Sequence, residues 1–454
     1  MSRTRSGRIG SATLGWVGLL VNLVAALPLM AQPPPRYRPK VGDRLVYERR
    51  VQIAPLAGDG AAREYTQQVQ LWILGGDQKE VQVLGDLVRV TDQQPNLVRG
   101  TLFHMDARGR RSFSGEALAR LAGLDPVFDV IPILPTALED NSEWLTDPDH
   151  FGRRWRSTRG EPDPAVAGAV RVDFVLEDPT GVSETLGQSQ QGSYWFDRRA
   201  GVVVRVESEW RDQAAGQRTL SVTRLHTSLK RKPRWCEQRI EEIEPFLCTL
   251  RLEDRLLDQM TSEPDKLEWI ISNADRLWSE LILDTAREPQ SPIRRLAEGR
   301  RALFANDRNK HREREELARQ WLGSTAAQWS LQTPDGETVR SETLRDRIVV
   351  ECFWRADSLW SLRSFEILRA LQEQLSPESY RVVCLNIDAD AAAGRRAARL
   401  CGTGLTHILA GPPLAGLPPR ELPIFRVLDA GSKVLAVYFG WQPGLAEKVR
   451  SLGD

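Results

Sequence analysis

Disulfide exchange, thiol catalysis and metal binding by soft ligands all begin from cysteine or histidine, and this chain uses both sparingly. Its cysteines are Cys236, Cys248, Cys352, Cys384 and Cys401, and its histidines are His104, His150, His226, His311 and His407. No C-x-x-C pair occurs, and no cysteine and histidine share the spacing of a zinc module, so neither a metal nor another cofactor is expected. Cys236 and Cys248 lie close enough in sequence to bridge in an oxidising compartment, which makes them a candidate disulfide; free buried thiols are the other reading. Cys352 and Cys384 sit inside apolar runs and read as small core residues. Cys401 ends a helical pattern before Gly402 and is the candidate reactive thiol, although no resolving partner accompanies it.

One stretch carries the local signals of a positioned site. Residues 348–353 form an apolar run rich in β-branched side chains, and after Trp354 a short polar turn opens an amphipathic pattern that lasts to about residue 375. Asp357 and Ser358 are both strong N-cap types, each able to offer a side-chain oxygen to the unpaired N–H groups of the first helical turn.

The elements that must hold this stretch read as three blocks. Residues 44–53, 64–74 and 80–90 alternate apolar and polar side chains, and the alternation returns at 170–176, 193–197, 202–210 and 218–225. Alternation buries one face per strand, so an antiparallel sheet is expected, rolled over a central segment. Arg198-Arg199-Ala200 before Gly201 reads as a hairpin turn. A short helix is expected at 115–124, with an irregular crossing from Pro132 to Pro135. Helical text follows at 237–243, 247–260, 265–286, 292–304 and 311–322, and Pro245 is expected to break or kink it. From Trp329 a small hairpin, strands at 348–353 and 380–388, helices at 358–375 and 391–401, a hairpin across 423–439 and a last helix at 444–452 describe an α/β sheet of mixed direction.

This last block, about residues 323–452, resembles the thioredoxin superfamily, and more closely its exported TlpA/ResA-like thiol-disulfide branch. The resemblance rests on Pro334-Asp335-Gly336 in the leading hairpin, Phe353-Trp354 at the strand end, Leu385-Asn386-Ile387-Asp388, and Leu422-Pro423-Ile424-Phe425 before Asp429-Ala430-Gly431. It implies a cis bond at Pro423, facing the redox motif. It also sets Ser358-Leu359-Trp360-Ser361 on the family's C-x-x-C, with Asp357 where a tryptophan is expected, Ser364 for a glutamate and Glu366 for the helix-kinking proline. Family catalysis needs a thiolate at the helix N-terminus, and serine cannot form a disulfide. In the first block, Ile133-Leu134-Pro135 with Glu143-Trp144, and Tyr194-Trp195-Phe196-Asp197 with Gly201, are loosely similar to bacterial exported β-sheet domains of unassigned role. That likeness implies binding or structure, and no chemistry.

The expected architecture is therefore an α+β multidomain chain. It would comprise a signal peptide or anchor at 1–31, a proline-rich linker at 32–40, an antiparallel β-sheet domain at 41–230, a helical connector at 235–322 and an α/β thioredoxin-like domain at 323–454. Arg3, Arg5 and Arg8 before the apolar residues 9–30 describe an export signal, long enough to serve instead as an uncleaved anchor. Export would place the rest in the periplasm or cell envelope, touching membrane only through an uncleaved segment. A net charge of +1 points to no nucleic-acid partner. The reading that leads is a redox-inactive envelope protein with a binding or scaffolding role, its peptide groove formed by Trp354, Asp357, Trp360, Leu422 and Pro423. Two others stand beside it: a thiol-disulfide oxidoreductase working through displaced cysteines or with an active paralogue, and a ligand carrier with its cavity inside the N-terminal sheet.

Overall fold

The computed structural model describes residues 35–57, 61–77, 79–90, 95–113, 126–135, 143–148, 153–213, 216–285, 291–411, 422–442 and 444–452. The export segment and the helix expected at 115–124 lie outside them. Among the described residues the first block is one antiparallel sheet of eleven strands. They are β1 (Asp43–Pro55), β2 (Arg63–Gly76), β3 (Glu80–Val90), β4 (Pro95–Asp106), β5 (Arg111–Ser112), β6 (Glu143–Leu145), β7 (Arg154–Arg159), β8 (Ala169–Glu177), β9 (Gln188–Asp197), β10 (Val202–Asp212) and β11 (Gln217–Lys230). Their order, β5-β4-β3-β2-β1-β11-β10-β9-β8-β7-β6, makes β5 and β6 the two ends of the row. The row curls until those ends meet: Asp147, just past β6, pairs with Arg108 at 3.3 Å and Arg110 at 3.6 Å in the turn before β5.

The interior of the roll is filled at one end. A short 3-10 turn, Pro126–Val130, and the residues after it put Val127, Val130, Ile131 and Leu134 against Leu45, Tyr47, Val69, Phe103 and Phe196. The crossing expected at Pro132–Pro135 is thus a plug inside the sheet. Part of the expected linker joins it. Tyr37 is buried, packs edge-on to Phe196 at 5.4 Å, and donates its hydroxyl to the Pro132 carbonyl at 3.0 Å, so residues 35–40 are not a free spacer.

Helices cover the other face of β2–β4. They are α2 (Pro233–Ser262), α3 (Leu267–Asp284) and α4 (Pro292–Asn306); α5 (Arg308–Trp321) leads on to the C-terminal sheet, and a one-turn α1 (Val182–Thr185) lies earlier, in the β8–β9 connection. Ile243, Phe246, Leu250, Trp278, Leu281 and Ile293 meet Trp72, Leu74, Leu84 and Leu102 across this layer. The break expected at Pro245 does not occur, because α2 runs through it. Interior proline costs about 3 kcal/mol. Burying each apolar flank residue returns roughly 1.5–3 kcal/mol, and Ile243, Phe246, Leu247 and Leu250 are all buried, so packing outweighs the kink.

The C-terminal sheet has seven strands in the order β13-β12-β16-β15-β14-β17-β18. These are β12 (Ser330–Gln332), β13 (Thr338–Arg340), β14 (Ile348–Trp354), β15 (Tyr380–Asn386), β16 (Thr406–Leu409), β17 (Ile424–Leu428) and β18 (Val434–Phe439). β14, β15 and β16 are parallel, and β17 and β18 return antiparallel. Helices α6 (Leu359–Gln374), α7 (Ala391–Cys401) and α8 (Leu445–Arg450) cover one face and the end of α5 the other, so β14 is buried on both sides and is apolar but for Glu351.

The two blocks interlock through α1. Val182 and Leu186 enter the core formed by α6, α7 and β14, and Gly181, at φ 72°, lets the chain approach so closely that a Cβ would lie 3.0 Å from the Leu400 carbonyl oxygen. Asp178 accepts from the Ser183 amide at 3.0 Å and hydroxyl at 2.7 Å and stands 3.8 Å from the buried Arg363 of α6.

Candidate functional site

The turn after β14 sets the geometry of the opening of α6. Ser358 is the N-cap, with extended backbone, and its Oγ accepts from the Ser361 amide at 3.2 Å. That bond satisfies one of the first-turn donors and is worth roughly 0.5–2 kcal/mol. The same hydroxyl reaches the Leu422 carbonyl at 3.4 Å, joining the helix start to the segment before β17. Ser361 is fully buried, and its Oγ accepts from the Arg355 amide at 3.4 Å. Ser364 donates to the Trp360 carbonyl at 2.8 Å. Asp357, the other cap candidate, is exposed and pairs with Arg355.

Asp388, at the end of the second central strand, holds the turn from beneath. One oxygen accepts from the Ala356 amide at 2.9 Å and from Asn386 Nδ2 at 2.7 Å. Burial raises its pKa, and these hydrogen bonds oppose the rise. The Leu422–Pro423 bond is cis. Ser358, Ser361, Asp357, Trp360 and Leu422-Pro423 are therefore gathered at one end of the sheet. Trp360 is half-buried, its ring 5.5 Å from that of Trp441 after β18.

Two groove expectations need correction. Trp354 is not at a rim: it is fully buried, edge-on to Phe365 at 5.0 Å and to His407 at 5.4 Å. Alternation along β14 explains this, since Val350, Cys352 and Trp354 share the face that α6 covers. Leu422 is not an open groove residue either, because its side chain is buried and its carbonyl accepts from the Ser358 hydroxyl at 3.4 Å.

The thiols follow the same logic. Cys236 and Cys248 are both free and cannot bridge as expected, because both lie on the continuous helix α2. Twelve residues at about 1.5 Å each separate them by roughly 18 Å along the axis, whereas a disulfide needs Cα atoms within about 7 Å. Cys352 and Cys384 are adjacent across the β14–β15 ladder and fully buried, with both thiol pKa values raised by burial. Cys401 is not the reactive thiol expected. It is buried under α1, its sulfur 3.2 Å from the Thr185 hydroxyl, and burial pushes its pKa up to about 11 despite that contact. Nothing at positions 391–402 could have shown this, because the covering residue lies more than two hundred positions earlier.

The structure also contains a charge pair that sequence reasoning passed over. Glu351, in the centre of β14, accepts from Arg426 Nε at 2.7 Å and Nη2 at 2.6 Å, and from Trp329 Nε1 at 3.4 Å. Both charges are buried, and the guanidinium lies over the rings of Trp321 at 4.8 Å and Phe353 at 5.0 Å. A glutamate within an apolar strand and an arginine within another are the signal that could have found it.

No family model matches the chain. No curated protein matches it either. Among solved structures, the thioredoxin domain of a thiol-disulfide oxidoreductase from Bacteroides vulgatus is 14% identical, over 29% of this chain and 98% of that one, at a TM-score of 0.27. A DsbF homologue from Corynebacterium diphtheriae is 19% identical over 29% of this chain and 85% of that one, at 0.26. A thiol-disulfide oxidoreductase from Bacteroides fragilis is 20% identical over 28% of this chain and 99% of that one, at 0.24.

Proposed function

We propose that the chain is an exported binding or scaffolding protein whose thioredoxin-like unit performs no disulfide exchange. The observation that carries this reading is Ser358, which stands at the N-cap of α6 with its hydroxyl bonded into the first turn. A nucleophilic thiolate would need that place, and the buried Cys352, Cys384 and Cys401 are each held protonated by burial. The basic and apolar text of residues 1–31 supports export, and no helix among the described residues is long and apolar enough to cross a membrane. A docked peptide or envelope protein would meet the exposed Asp357 and the Trp360–Trp441 pair, since the Leu422 carbonyl is already engaged.

Insulin reduction in the presence of dithiothreitol tests the reading. The wild-type protein is expected to leave the rate at its uncatalysed value. Catalysed reduction that disappears in Cys401→Ser would replace it with an oxidoreductase acting through a displaced thiol.

A further inference from the structure

The roll of the N-terminal sheet is filled at one end and hollow at the other. A cavity of about 290 Å³ remains between the plug and strands β1 and β7–β11. Ligand pockets run from about 300 to 1,000 Å³, so this one admits a molecule of one or two rings.

Its floor is a single cross-strand row. Ser157 of β7, Phe174 of β8, Gly192 of β9, Ser208 of β10 and Ser221 of β11 stand opposite one another in register. One step nearer the plug, the matching inward positions hold Val172, Tyr194 and Val206, which belong to the core around it. In the floor row only Phe174 is large, and its ring lies over Gly192, where a Cβ would come within 2.8 Å of it. Leucine at the serine positions would fill the space, and serine leaves it open. Trp155 and Trp210 stand beside the row, and Phe128 and Ile133 of the plug face it. Trp155, Phe174 and Trp210 line the interior yet are only half-buried, so aromatic surface remains open to the cavity.

The groups left to recognise an occupant are uncharged. Arg111 donates to the Ile131 carbonyl at 3.1 Å and lies 4.3 Å over Phe128, Arg153 lies 5.5 Å over Trp155, and Arg49 has a partner of its own. No carboxylate lines the cavity among the described residues. Ser208 and Ser221 bond to each other at 2.8 Å, which uses one of their two hydroxyl hydrogens. The pair keeps a second donor and unused lone pairs, a match for a neutral hydroxyl. An ion would surrender its water for partners already taken, a cost that a neutral ring with one hydroxyl avoids.

We infer that this cavity binds a compact uncharged cyclic alcohol, its rings on the floor of Ser157, Gly192 and Ser208 between the tryptophans and Phe128, its hydroxyl at the Ser208–Ser221 pair. The site lies in the sheet and not at Ser358, so it stands whether or not the C-terminal unit is redox-silent.

Isothermal titration of the full chain with 2-naphthol near neutral pH, where its hydroxyl is un-ionised, tests the site. The controls are 2-naphthoate, which carries a charge, and naphthalene, which lacks the hydroxyl and is measured by competition. One saturable site for 2-naphthol, at least tenfold tighter than for 2-naphthoate, is the expected result. Ser208→Ala should weaken 2-naphthol roughly two- to tenfold, the worth of one neutral hydrogen bond, and leave naphthalene unchanged. Ser208→Leu, checked for folding by circular dichroism, should fill the floor and weaken both at least tenfold; if it does not fold, Ser208→Ala decides. The inference is overturned if the wild type has no saturable 2-naphthol site, if 2-naphthoate binds as tightly, if Ser208→Ala binds 2-naphthol unchanged, or if a folded Ser208→Leu protein binds it like the wild type.

Discussion

Replacing Ser358 and Ser361 together by cysteine should create a disulfide, because the N-cap and the third residue of α6 lie one helical turn apart on the same side of the helix start. The two residues are the N-cap and third position of α6, already linked by the Ser361 amide. Closing a four-residue loop removes about 6 cal/mol/K from the unfolded chain, so the oxidised double variant should be about 2 kcal/mol more stable than its reduced form. Losing the serine cap costs about 1 kcal/mol, which leaves the oxidised variant roughly 1 kcal/mol above wild type and the reduced variant about as far below it. At the helix N-terminus the first thiol should gain about 0.3–1 kcal/mol as thiolate, lowering its pKa by less than one unit from about 8.5. The assays are a thiol count and intact mass after oxidised glutathione, chemical denaturation of both redox forms, and alkylation rate against pH. If the folded variant forms no intramolecular bond, or if its oxidised and reduced forms unfold at the same denaturant concentration, the claim that the two positions are placed to bridge is wrong.

Arg426→Leu should cost about 3–5 kcal/mol in urea denaturation, because Glu351 would be left charged and buried; adding Glu351→Leu should recover most of that loss. In the native protein only Cys248, the one exposed cysteine, should react quickly with Ellman's reagent, and the non-reduced intact mass should show no loss of two hydrogens. Burial raises Asp86 to about 6, while Arg295 at 2.7 Å and Trp72 oppose the rise. The folded state then holds that proton more tightly than the unfolded chain, so stability from this group is present below about pH 4 and is lost as pH rises through 6; Asp86→Asn should flatten a slope on the order of 3 kcal/mol. His407 runs the other way: burial lowers it to about 4, so its share is present above about pH 6.5 and is lost as pH falls toward 4, and His407→Gln should remove that acid limb.

Much of the sheet was legible because alternation is a local property. The strands around Val51, Trp72, Tyr194 and Val206 follow the pattern, and the structure pairs them in register. β4, β5, β6 and β7 escaped notice for a physical reason. Gly100 interrupts the alternation of β4, and β7 carries arginines at the edge of the row, where few side chains need be apolar. Alternation also could not say which helix would lie on which face, nor that Tyr37 would be drawn into the roll. Pro245 shows a local rule yielding to tertiary packing, since the break it favours would expose residues that the sheet buries.

At residues 348–361 the chain by itself determined what chemistry was unavailable. A side chain's atoms do not depend on its surroundings, and two hydroxyls cannot exchange disulfides. A cap at Asp357 or Ser358 was legible because capping is settled within four residues, and the structure selects Ser358. Only the tertiary structure decided the rest. Whether Cys401 was reactive depended on α1, whether Trp354 lined a groove depended on which face α6 covered, and whether the sheet was filled or hollow depended on how far the plug reached. Each of these turns on residues that meet across long stretches of chain, and burial, which sets both reactivity and pKa, exists only once those stretches have packed.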